Sequence, residues 1–159
     1  MDSYIVARVV HVLSVVLWIG GVAMVTLVLL PAIKRMISPQ ERVTFFENIE
    51  SRFAWQARVT TLLAGASGFY MLMIGGGWQR LSMPGSGWLH LMIFTWAIFT
   101  VMLFLLEPLV LHRVIKRKAE QDPEGTFRKI TILHYVLLAV SLVTVGWAVA
   151  ASHGFILGQ

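Results

Sequence analysis

Ala7-Arg8-Val9-Val10-His11-Val12-Leu13-Ser14-Val15-Val16-Leu17-Trp18-Ile19-Gly20-Gly21 decides the reading of this chain. It belongs to an apolar run over residues 6–30 that is long enough to cross a bilayer as a helix, which takes about 20 residues. Inside that run, about one turn from its start, stands a histidine. An imidazole in hydrocarbon is costly, so it is expected to face a bundle interior and to have a partner there.

Three further apolar stretches follow, and the spans read as residues 6–30, 54–76, 88–111 and 131–152. The chain of 159 residues is 57% hydrophobic and 13% charged, with mean hydropathy +0.76. A soluble domain carries about a quarter charged residues, so the core here is expected inside lipid, as a single domain over residues 1–159. The fold class is all-α: an antiparallel four-helix transmembrane bundle. The first span is not read as a cleaved signal peptide, because its apolar region is too long and only Arg8 precedes the main run. The absence of cysteine excludes disulfides, thioether-linked haem, cysteine-held iron–sulfur clusters and a thiol nucleophile.

The connections carry their own signals. Ser38-Pro39-Gln40-Glu41 reads as a capping box, with Ser38 as N-cap and Glu41 reaching back. Val43, Phe46 and Ile49 then recur at helical spacing. They predict a short amphipathic helix lying on the membrane and running into the second span. Gly75-Gly76-Gly77, Pro84 and Gly85 predict an irregular second connection. Eleven of the thirteen Lys and Arg residues lie in the first and third connections or just inside the second span; only Arg8 and Arg80 lie on the other side. The positive-inside rule makes those connections cytoplasmic and both termini periplasmic in a bacterial inner membrane. The pI near 10.1 then reflects contact with anionic headgroups; nucleic acid is not an expected partner.

On this topology His11, His90 and His153 share the outer side, while His112 and His134 lie at the cytoplasmic ends of spans three and four. A span of about 20 residues is near 30 Å long, so the two sets cannot share one site. Arg8, His11, Ser14, Trp18, Gly21 and Val25 recur every three or four residues as one seam. Imidazole is a common axial ligand of haem iron, and His11 and His90 could supply two at similar depth, with His153 in reserve. Arg8 or Arg80 could meet propionates, and Trp18, Phe94 and Trp96 could line the ring. Each residue also has a plainer role. His11 could be a packing residue bonded to a carbonyl of the next helix, Arg8 could extend to headgroups, and His112 and His153 could sit in the interface. Trp55, Trp78, Trp88 and Tyr135 suit the aromatic belt.

Met71, Met73, Met83 and Met92 gather at the same outer end, with Met92 beside His90. Thioether with imidazole suits Cu(I), although methionine is also a common apolar filler. At the inner end Arg58 and Glu107 lie at matched depth and are expected to pair, with His134 able to join them; such a cluster locks helices together or serves a proton or a quinone headgroup. Pro108, lacking an N–H, leaves a nearby carbonyl free.

The residues Arg8, His11, Trp18 and Gly20-Gly21, with Arg58, Gly65 and Gly68, Trp88-Leu89-His90 and Phe127-Arg128, resemble the CopD-like four-helix membrane proteins and the related HemJ-type protoporphyrinogen oxidases. The likeness covers the whole chain loosely and is most specific in the first span. It implies haem binding at His11. HemJ-type proteins carry a functional lysine where this chain has Met92, a departure that bears on protoporphyrinogen oxidation itself. The CopD-like group implies copper handling. The sequence thus predicts a membrane protein binding haem b with a redox role, electron transfer or small-molecule oxidoreduction. Copper handling is the alternative, and a structural subunit is a third reading. A redox partner, a quinone and a homo-oligomer stay open beside the lipid bilayer.

Overall fold

The computed structural model describes residues 2–154, and of residues 109–113 the backbone alone. It is all-helical among these residues, and four helices are long and apolar enough to span a membrane. Helix α1 runs Ser3–Met36, α2 Arg42–Ile74, α3 Gly77–Arg80, α4 Gly87–Val101, α5 His112–Gln121 and α6 Pro123–Ser152. Helix α1 is wound as π-helix over Val25–Leu29, and a second π-helical stretch, Met102–Leu111, joins α4 to α5 without a break.

The local starts follow side-chain chemistry. Asp2 caps α1 by accepting from the Tyr4 N–H. Asp122 caps α6, accepting from the Gly125 N–H at 2.9 Å, with Pro123 in the first turn where its missing N–H costs nothing. The capping box at Ser38 takes another form: α2 begins at Arg42, and Ser38 Oγ bonds the Glu41 carboxylate at 2.6 Å while the Ser38 carbonyl accepts from the Arg42 N–H at 3.2 Å. Gly76 adopts φ 64°, which glycine tolerates without a Cβ penalty, and so turns the chain from α2 into α3.

Two connections differ from the sequence expectation. The segment expected as an amphipathic helix on the membrane, running into the second span, forms the opening turns of α2, but its apolar residues Val43 and Phe46 are buried in protein rather than laid on lipid. They pack with Leu30 and Ile33 of α1 and Phe127 and Ile130 of α6. The third connection, expected as a loop over 112–130, is helical on both sides of Asp122.

Helix α1 packs along α2 and touches α6, while α4 touches α2 and α6. Helices α2 and α6 also touch, and α1 and α4 meet through Trp18 and Phe99, edge to face with centroids 4.7 Å apart. Ala64 of α2 and Leu137 of α6 complete that layer, one buried residue from each span. Close approach elsewhere uses small and hydroxylated residues. Gly65 admits the Trp96 indole, which donates to the Thr61 carbonyl at 2.9 Å, and Thr95 and Thr144 share a buried hydrogen bond of 2.9 Å.

Candidate functional site

The seam of the first span is formed from His11 inward: Ser14, Trp18 and Val25 are buried, and His11 and Gly21 are half-buried, while Arg8 at its outer end is exposed. His11 lies against α2, where Nδ1 donates to the Ala64 carbonyl at 2.8 Å and Ser67 Oγ stands 3.3 Å from the same nitrogen. Gly68 holds the ring close, since a Cβ there would come within 3.2 Å of His11 Cε1. A carbonyl can only accept, so Nδ1 carries the proton and, in the neutral ring, Nε2 carries the lone pair. Metal-ligating histidines are oriented in this way. The same bond is the carbonyl partner that a packing histidine would use.

The other expected outer residues stand apart from His11. His90 is exposed on the first turn of α4, its Nδ1 donating to the Ser86 carbonyl at 3.1 Å. His153 is likewise exposed and donates to the Val149 carbonyl at 2.9 Å. No hydrogen bond or ring contact among the described residues joins either to His11. The rings are drawn back instead onto carbonyls of their own helices. Arg8 and Arg80 are exposed, and Met92 is half-buried. Trp18, expected to line a ring at the level of His11, belongs to the Phe99 layer two turns further in. Trp96 is held by Thr61 and stands edge-on to Phe69, which stacks on Trp78. Among the described residues no three His, Cys, Asp or Glu side chains converge as a metal site. His112 has its side chain outside the described residues.

The inner end holds a polar cluster around a cavity of about 110 Å³. Arg58 and Glu107 pair at 3.1 Å, as their matched depth predicts, and Arg58 Nε also donates to the Leu103 carbonyl. His134 lies beside them in the cavity wall; its Nδ1 donates to the Ile130 carbonyl at 2.9 Å, its ring meets Phe46 edge-on, and its Nε2 is 3.9 Å from Glu50. Glu50 is the residue the sequence reading passed over. Its signal was present: Phe46, Glu50, Ala54, Ala57, Thr61, Ala64 and Gly68 recur every three or four residues, which places a carboxylate within an otherwise apolar or small-residue seam.

Comparison with known proteins finds no family model, no characterised protein and no solved structure that matches this chain.

Proposed function

We propose that this chain is an integral membrane protein that binds haem b and has a redox role, built as an antiparallel four-helix bundle of the CopD-like and HemJ-like kind. The observation that carries the proposal is His11, whose Nδ1 is fixed by the Ala64 carbonyl at 2.8 Å so that Nε2 is left to ligate. The donor set fits haem iron, which needs one or two imidazoles where a bare metal ion needs three or four ligands. His90 is the preferred second ligand and His153 the reserve; each keeps Nε2 free of a described bond because Nδ1 is the atom bonded to its own helix. Arg8 and Arg80, both exposed at that end, are the cations available to propionates. Haem supplies one-electron exchange when bound; the chain supplies the oriented imidazole and, about two turns below it, a buried apolar layer around Trp18. By the distribution of Lys and Arg, the termini face the periplasm of a bacterial inner membrane.

The test is the absorption spectrum of detergent-purified protein. A Soret band with sharp reduced α and β bands is the expected result. Colourless protein containing copper would overturn it in favour of a copper-handling protein.

A further inference from the structure

The cavity at the inner end is mixed in a way that constrains its occupant. Its walls are largely aromatic and aliphatic, with Trp18, Phe53, Phe99 and Leu137 among them, yet Glu50, Glu107 and His134 also line it. Trp18 is 5% exposed and its indole N–H has no partner among the described residues. A buried indole N–H ordinarily finds an acceptor. Two further lining residues, Leu17 of α1 and Leu133 of α6, are 53% and 37% exposed on the outside of the protein, so the rim of the cavity reaches the lipid-facing surface.

An acyl chain would suit the walls and leave the Trp18 N–H unmatched. Water would suit the polar groups and wet the aromatic rings. A flat ring bearing carbonyl oxygens satisfies both. It lies against the aromatic wall that Trp18 and Phe99 form together, and its oxygens accept from donors such as the Trp18 N–H or a protonated His134 or Glu50. The volume of about 110 Å³ is below the roughly 300–1,000 Å³ of drug-sized sites, so only a compact head enters and the rest of the molecule stays in the bilayer. We propose that this cavity binds the headgroup of a membrane-soluble quinone, entering from the lipid past Leu17 and Leu133. The choice of a quinone over other flat dicarbonyl compounds rests on the redox reading above.

The experiment uses the full chain in detergent and a benzoquinone carrying a decyl tail, followed by quenching of tryptophan fluorescence. Saturable quenching is expected, with decanol unable to compete. Gly21 lines the cavity and an added Cβ there would meet nothing within 4 Å, so Gly21→Leu can fill the space from α1. Gly21→Leu and His134→Leu should each weaken binding tenfold or more with helix content unchanged. Should Gly21→Leu fail to fold, photolabelling of the unaltered chain with an azidoquinone decides. Label on residues 17–25, 50–57, 99–107 or 133–137 supports the site. Label elsewhere, unsaturable quenching, equal affinity in both variants or displacement by decanol overturns it. Soret absorbance read from the same samples separates the two proposals: saturable quinone binding without haem overturns the haem reading and leaves the cavity assigned.

Discussion

Arg58 Nε donates to the carbonyl of Leu103 at 3.1 Å, and that carbonyl is the one Pro108 leaves without a donor. In π-helix each carbonyl pairs with the N–H five residues on, and for Leu103, within the stretch Met102–Leu111, that residue is a proline with no N–H to give. The guanidinium therefore has two tasks, since its NH2 group also holds Glu107 at 3.1 Å. One cation from α2 repairs the backbone and neutralises the carboxylate of the neighbouring span.

The first prediction follows from that double role. Arg58→Met should destabilise the protein more than Glu107→Gln, because it orphans a carbonyl as well as a carboxylate. In a double-mutant cycle with Arg58→Met and Glu107→Met, read by thermal melts in detergent, the coupling should be roughly 1–2 kcal/mol. Strictly additive losses would show that the two residues act independently.

His11→Ala should abolish haem retention. His90→Ala should give either no haem or a high-spin five-coordinate spectrum, and His134→Ala should leave the spectrum unchanged. Absorption spectra of the three purified variants check this; a normal low-spin spectrum in His11→Ala would remove the site assignment and the resemblance that suggested it.

Gly65 and Gly20 should respond oppositely to alanine. A Cβ at Gly65 would fall 2.6 Å from the Trp96 ring, displacing the indole from the Thr61 carbonyl. The expected cost is about 1–3 kcal/mol. At Gly20 a Cβ meets nothing within 4 Å, so alanine should be neutral or stabilising by up to roughly 1 kcal/mol through helix propensity. Melting temperatures of the two variants provide the comparison.

The absence of cysteine makes the orientation directly measurable. Ser82 and Gln121 are both exposed, at opposite ends of the third span. In intact bacterial cells a membrane-impermeant thiol reagent should label Ser82→Cys at once and Gln121→Cys only after permeabilisation. The reverse order would place His11 at the cytoplasmic side.

Much of this architecture was legible because lipid imposes simple rules. Apolar length marked the four helices, and the seam from Ser14 through Trp18 to Val25 marked the buried face of α1. Matched depth paired Arg58 with Glu107. Helix ends were less legible, because helices outrun the hydrocarbon. The cap at Asp122-Pro123 lies outside the apolar run and was lost in a basic stretch read as a loop. Val43 and Phe46 showed an apolar face correctly, but periodicity cannot say whether lipid or Ile33 and Phe127 will cover it. The relation of His90 to His11 was illegible for a similar reason. Depth along a helix can be counted, whereas the direction of a side chain in the first turn depends on which carbonyl it finds.

The layer made by Trp18, Ala64, Phe99 and Leu137 has a consequence for the membrane as a whole. The protein carries ionisable side chains near both surfaces, and a wet path between them would let protons run down their gradient. One buried residue from every span packs at that level. A charge crossing it would have to shed its hydration among aromatic and aliphatic side chains. The layer is in this sense a dielectric barrier, set between the end that holds His11 and the end that holds Arg58, Glu107 and His134.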